Sequence, residues 1–151
     1  STRKESSAAS DVYKRQDPES FVLSKRFDIL GTYEAYKKFH VEEDGIPKTE
    51  DLLWTIVSTY TDWKVELTSS IDMELSVREA NTKRGSGQKE TLPAGTHFVL
   101  LKTDGEAYAE AMLDDGRICE FELEHPSEDE WEGRINGVSI SDCFEYVPYA
   151  G

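Results

Sequence analysis

Apolar residues occupy every second position between residues 71 and 77, and polar or charged residues stand between them. Successive side chains of a strand point to opposite faces of a sheet, so this pattern predicts a strand with one buried face. The same period recurs at 106–113 and 117–124, and Gly-containing segments at 103–105 and 114–116 are typical of hairpin turns. We predict five or six short antiparallel strands from residue 71 onward.

The stretch 117–124 predicts a strand whose two faces differ in character. Cys119 and Phe121 lie on the apolar side, whereas Glu120 and Glu122 lie on the opposite side. We predict that the acidic side faces water and that Cys119 belongs to the core.

Turn residues separate the predicted strands. Pro93 restricts φ to a value that suits a turn, and Gly95 accepts a positive φ, so residues 92–96 predict a turn into the apolar stretch 97–101. Near the C-terminus, an Asn-Gly pair at 136–137 predicts a further tight hairpin. The residues after it predict one helical turn and a last strand containing Phe144, Tyr146 and Val147.

The N-terminal half has a weaker pattern. Residues 24–40 fit either a helix, with aromatic and apolar residues about three apart, or two strands that meet at Gly31-Thr32, and their Thr, Tyr and Phe content favours the strands. Residues 52–60 predict a further strand. We expect residues 17–67 to form a β-rich segment or the tail of a preceding domain, and residues 68–151 to form the main domain.

The first sixteen residues differ from the rest of the chain. Residues 11–16 read DVYKRQ, which matches the translation of a transposon end used to prepare DNA libraries. We therefore interpret residues 1–16 as a non-native, adapter-derived and disordered arm, and expect the natural protein to continue upstream of Asp17.

The net charge narrows the range of partners. The chain has 17 basic and 31 acidic residues, and its formal net charge is −14 at pH 7. Such a charge is repelled by phosphate groups, so we expect no nucleic-acid partner. Because the sequence has no run of roughly 20 apolar residues, we also expect no membrane insertion by a helix.

The order of the predicted elements matches that of a known family. A strand ends at Val77-Arg78, a long polar loop follows, and the Leu-Pro-Ala-Gly-Thr turn at 92–96 leads into an apolar strand. Asp-Gly hairpins and a helical turn complete the series. Residues 70–149 thus resemble the bacterial SH3-like (SH3b) domains. The resemblance implies an all-β fold, a small SH3-like antiparallel barrel preceded by the β-rich segment.

The resemblance also implies a class of function. Members of that family are non-enzymatic modules that bind peptidoglycan or pack against neighbouring domains. For this chain it implies a non-catalytic binding or structural module of a bacterial cell-envelope or secreted protein. Its partner is then cell-wall glycan or peptide, or another domain of the same polypeptide. Its location is extracytoplasmic, and it needs no cofactor.

Several aromatic side chains suit a ligand groove, because rigid aromatic rings bind sugars or peptide side chains with little loss of entropy. Most of them also fit a role in the core, and the tryptophan fits the closed end of a barrel. The candidate ligand-binding residues are Tyr108, Trp131, Phe144, Tyr146 and Tyr149.

A second function fits the acidic composition. An inhibitor or immunity-type protein can use negative charge to block a basic partner. Such a protein needs its carboxylates on one contiguous face. In the sequence the acidic residues are spread over strands and loops alike, which favours the binding module.

Catalytic and metal-binding patterns are weak. Cys119 and Cys143 fit reduced core thiols, and in an exported protein they also fit a disulfide. The histidines lack the spacing of metal ligands, and the acidic turn at 114–116 lacks the regularly spaced oxygens of a calcium loop. We therefore predict no catalytic residues and no metal.

Overall fold

The computed structural model describes residues 19–57, 64–125 and 132–149, which form an antiparallel all-β structure, as the alternating pattern predicts. No helix in these ranges has the length and apolar character needed to cross a membrane. The strands are β1 (Glu19–Asp28), β2 (Thr32–Val41), β3 (Pro47–Lys48), β4 (Trp54–Val57), β5 (Glu66–Thr68), β6 (Met73–Arg78), β7 (Gln88–Leu92), β8 (His97–Thr103), β9 (Tyr108–Leu113), β10 (Ile118–Glu122), β11 (Arg134–Ile135) and β12 (Val138–Ser139), and the helix is α1 (Ile140–Cys143).

The described residues fall into two compact units. The small unit comprises residues 19–23 and 37–52. The large unit comprises residues 24–36 and the described residues from 53 onward. The predicted domain boundary between residues 67 and 68 stays a prediction.

The small unit has little core of its own. The rings of Phe21 and Phe39 stack with centroids 5.6 Å apart, and β3 pairs with the end of β2. None of its side chains whose burial is described is buried, and Val22 and Leu52 are 56% and 87% exposed. The unit therefore presents apolar surface to solvent.

In the large unit, hydrogen-bonded neighbours follow the order β2, β4, β8, β9, β10, β6 and β7, and β5 also pairs with β8. One face of the central strands forms the core. Three phenylalanines pack edge to face there. The centroid of the Phe98 ring lies 5.1 Å from that of Phe121 and 6.0 Å from that of Phe144. The remaining ring pair, Phe121 and Phe144, is 5.7 Å apart.

The predicted barrel is wrong, because the strands follow an open path. That path ends at β7, whose first four residues are exposed. One of them, Glu90, forms an ion pair with Arg117, in which Nη1 lies 2.8 Å from Oε2. The predicted last strand is also absent. Phe144 forms a single bridge with Ser69, and Pro148, which lacks an N–H donor, interrupts the segment that follows. The C-terminal segment therefore adds no strand that closes the sheet.

The turns between the strands agree with those predicted from the sequence. Gly95 has φ +92°, as predicted, and Asn136 and Gly137 have φ of +53° and +81° in the β11–β12 hairpin. Residues 24–40 form strands rather than a helix, and their turn places Leu30 at φ +63° and Gly31 at φ +125°. A leucine in this conformation is strained, and complete burial of its side chain offsets that cost.

Candidate binding pocket

A pocket of about 390 Å³ lies in the large unit, where turns and strand ends from distant parts of the chain meet. Its lining mixes apolar and acidic side chains. The apolar residues are Ile29, Ala107, Leu123 and Ile140, the carboxylates are Asp28, Glu106, Glu124 and Glu132, and Gly133, His125 and Tyr149 complete the lining.

Backbone hydrogen bonds hold the walls of the pocket together. The N–H of Leu123 donates to Ala107 O at 2.7 Å, and the N–H of Ile140 donates to Gly133 O at 3.2 Å. A Cβ atom at Gly133 would lie 2.6 Å from Glu124 O, so this close approach requires glycine. Backbone hydrogen bonds therefore hold together the segments that form the pocket.

The carboxylates of the pocket are oriented by neutral donors. Glu132 Oε1 accepts hydrogen bonds from Ser141 Oγ at 2.6 Å and from Ser141 N at 3.2 Å. Glu124 Oε1 accepts one from Gly137 N at 3.1 Å. The second carboxylate oxygen of Glu132 is buried and has no hydrogen-bond partner. Glu132 is thus a fixed carboxylate with unused acceptor capacity.

The charges of the pocket act on Tyr149. Burial raises the pKa of its hydroxyl to about 12, and the negative charges of Glu132 and Asp28 contribute to the increase. Among the lining residues that the structure describes, none is a Lys or Arg. The described part of the lining is therefore acidic in composition.

Of the predicted ligand-binding aromatics that the structure describes, only one lies in this pocket. Tyr149 lines the pocket, whereas Tyr146 is 72% exposed outside it. Phe144 and Tyr108 are buried, each about 2% exposed, and so cannot contact a ligand in this conformation. Trp131 lies outside the described residues.

Tyr108 belongs to a buried polar network. Its hydroxyl donates to Glu110 Oε2 at 2.7 Å, and Arg78 donates from Nη2 to the same oxygen at 2.8 Å. Arg78 Nε donates to Glu120 Oε2, also at 2.8 Å. One guanidinium therefore compensates two carboxylates on adjacent strands.

The loop between β6 and β7 covers this network. Gly85 N donates to Glu120 Oε2 at 3.1 Å, and the Arg84 guanidinium lies 3.5 Å from the centroid of the Tyr108 ring. The prediction that the acidic face of 117–124 is exposed to water is therefore wrong for Glu120, which is buried. Residues 79–86 of this loop are exposed, as their polar composition predicts, and the backbone of Gly85 also contributes to the network.

The predicted core position of both cysteines is confirmed. Cys119 and Cys143 are both buried in the core. Burial raises the pKa of Cys119 to about 12 and that of Cys143 to about 11, so these thiols are poor nucleophiles at neutral pH. The alternative disulfide stays a prediction.

His97 joins two carboxylates at the surface. Its Nδ1 lies 2.7 Å from Asp114 Oδ1 and its Nε2 lies 2.6 Å from Glu66 Oε1. Imidazole donates from both nitrogens only when it is protonated. The hydrogen bonds to Asp114 and Glu66 therefore raise the pKa of His97 above its ordinary value of 6.5.

We expect the free energy of unfolding to fall slightly as the pH rises through the pKa of His97. Because the folded-state pKa is raised above 6.5, the stabilisation is complete below pH 6.5 and is lost above the folded-state value. The effect is small because Glu66 and Asp114 are exposed. Urea unfolding of the wild type between about pH 5 and pH 9 will measure this fall in the free energy of unfolding. The dependence should be reduced in His97→Gln, and identical pH profiles for the two proteins would contradict it.

Among the residues that the structure describes, no group of three or more His, Cys, Asp or Glu side chains is arranged to hold a metal ion. Comparison of the chain with models of protein families, with curated proteins and with solved structures gave no match.

Proposed function

We propose that this chain is a non-catalytic binding module whose ligand occupies the pocket beside Tyr149. The observation that carries the proposal is the pocket itself, in which apolar side chains, a half-buried tyrosine and carboxylates line one concave site. Ligand sites commonly combine apolar surface with a few polar groups that fix orientation. The backbone contacts between Leu123 and Ala107 and between Ile140 and Gly133 support a preformed site.

We extend the proposal to a bacterial cell-envelope or secreted protein, on the resemblance of residues 70–149 to SH3-like domains. Peptidoglycan is then the first ligand to test. Tyr149 offers a rigid ring that can stack on a sugar or pack against a peptide, and its hydroxyl can donate or accept a hydrogen bond.

The test is retention of the full chain on insoluble peptidoglycan at low and high salt. We expect the wild type to be retained at both salt concentrations and Tyr149→Ala to be lost to the supernatant. Tyr146→Ala is the matched control, because Tyr146 is an exposed tyrosine from the same segment that does not line the pocket. Circular dichroism of each variant checks that the fold is retained.

Three results would contradict the proposal. A wild type that stays in the supernatant at both salts excludes wall binding. Retention at low salt only indicates general charge attraction, which salt screens. Equal loss in Tyr146→Ala and Tyr149→Ala places binding outside the pocket.

The alternative function, an acidic inhibitor of a basic partner, stays a hypothesis. It draws on the same site, because the carboxylates of the pocket suit a positively charged group. The identity of a natural partner separates the two functions, whereas the chemistry of the pocket is common to both.

A further inference from the structure

The tip of the β11–β12 hairpin carries a dipeptide with chemistry of its own. Asn136 is followed by Gly137, and both residues are exposed. The backbone nitrogen after an asparagine can bond to the side-chain carbonyl carbon, and its proton then leaves with the side-chain NH2 group as ammonia. Water opens the resulting cyclic imide to aspartate or isoaspartate. Glycine hinders this attack least, because it has no side chain.

In the closed hairpin both reacting groups are engaged in hydrogen bonds. The N–H of Gly137 donates to Glu124 Oε1 at 3.1 Å. The side-chain amide of Asn136 donates from Nδ2 to Glu74 O at 2.8 Å. Attack requires Gly137 N to give up its proton and the Asn136 amide to turn toward that nitrogen, so both hydrogen bonds oppose it. The closed hairpin therefore reacts slowly.

The hairpin tip can open without unfolding of the whole unit. Its strands contain two residues each and form a separate two-stranded sheet. Such a hairpin has little stability of its own, and exposed turns open far more often than a protein core. Ile135, which precedes the turn, is buried in the core and anchors the hairpin there. Opening at 136–137 therefore exposes the reacting groups at low cost.

The products of the reaction cannot restore the closed tip. An aspartate carboxylate has no N–H to donate to Glu74 O, and it adds a negative charge to a turn that already contacts the Glu124 carboxylate. Isoaspartate adds a carbon atom to the backbone of the turn, so the geometry with φ of +53° and +81° is lost. The reaction therefore detaches the tip of the hairpin from β6.

We propose that Asn136 is a site of spontaneous deamidation, and that opening of the β11–β12 hairpin sets its rate. Water is the only co-reactant, and ammonia is the only group released. The inference is independent of the proposed binding function, because it depends on the turn at 136–137 and its hydrogen bonds alone.

The first test follows the peptide that contains residue 136 by mass spectrometry, with separation of its asparagine, aspartate and isoaspartate forms. The folded full chain and the chain unfolded in guanidinium chloride are incubated at the same pH and temperature. We expect both to react at Asn136, and the folded chain to react about tenfold more slowly, the factor that corresponds to one hydrogen bond to a charged group. Asn81 is the internal control, because it is also exposed but precedes the β-branched Thr82, which hinders attack.

The second test removes the acceptor of the Gly137 N–H in the folded chain. In Glu124→Ala we expect deamidation of Asn136 and hydrogen exchange of the Gly137 amide to accelerate by similar factors, about tenfold. Glu122→Ala is the matched control, because Glu122 is an exposed carboxylate two residues earlier in the chain, and it should react like the wild type. Hydrogen exchange of the Phe121 amide in β10 should stay unchanged, which distinguishes local opening from unfolding.

Three results would overturn the inference. Equal rates in the folded and unfolded chains show that the hairpin gives no protection. If the folded chain yields no product by the time the unfolded chain has reacted completely, Asn136 is not modified in the native protein. Unchanged or slower deamidation in Glu124→Ala shows that this carboxylate does not protect Gly137 N, and a slower reaction identifies it as a base that accepts the proton.

Discussion

Replacing Arg78 with alanine is expected to lower the free energy of unfolding by about 3–5 kcal/mol. The guanidinium is buried and hydrogen-bonds to Glu110 and Glu120 at 2.8 Å each. Its removal leaves two carboxylates without their cation inside the protein, where an unpaired charge is costly. It also removes the hydrogen bond to Thr82 O that holds the covering loop. Equilibrium unfolding in urea measures the loss.

Arg117→Ala is the matched control for this prediction. Arg117 also contacts two carboxylates, Glu90 and Asp115, at 2.8 and 2.9 Å, but these partners are exposed to solvent. Ion pairs at a surface contribute about 0–1 kcal/mol, so the control should be near neutral. Equal losses in the two variants would show that burial of the Arg78 network adds nothing to stability.

Replacing Phe98 with alanine is expected to lower the free energy of unfolding by about 3–5 kcal/mol. The ring is completely buried and packs edge to face with Phe121 and Phe144. The strands around it are joined by backbone hydrogen bonds and cannot move together to fill the space. The substitution therefore loses both apolar burial and aromatic contacts, and leaves a cavity.

Tyr146→Ala provides the reference for the Phe98 prediction. It removes an aromatic ring of similar size that is 72% exposed, so its effect should stay within about 0.5 kcal/mol. Urea unfolding with a common slope for all three proteins gives the comparison. A loss below about 1 kcal/mol in Phe98→Ala would contradict a tightly packed core.

Local patterns were sufficient to predict several of the strands and turns. The alternation at 71–77 predicted β6, whose residues Met73, Leu75 and Val77 are buried. The Gly95 turn depends on backbone geometry within a few residues, so a single sequence contains the information needed. Strands at 24–40 were preferred over a helix on propensity, and β1 and β2 confirm that preference.

Burial of Glu120 was missed because it depends on a contact distant in sequence. Alternation places this residue opposite the apolar face but does not show what covers it. Arg78 and the amide of Gly85 reach it from β6 and from the following loop. The residue types alone contained one hint of this contact, because an arginine and a glutamate on neighbouring strands can neutralise each other's charge.

The pocket was missed for a related reason. Its carboxylates come from separate turns and strand ends, and each one in isolation is typical of a solvated surface. Only Tyr149 was identified beforehand, by its aromatic character rather than by its neighbours. The open path of the sheet was missed because pairing at its two ends depends on which segments approach each other, and alternation carries no information on that point.

The polar residues of β7 have a consequence for the protein at high concentration. A strand that ends a sheet leaves backbone donors and acceptors free to pair with another molecule. In β7 these groups are flanked by exposed Gln88, Lys89, Glu90 and Thr91, and Glu90 is also held by Arg117. A second copy that docked there would have to strip water from these charged groups. We therefore do not expect fibres in which the β7 edge of one molecule pairs with the sheet of the next.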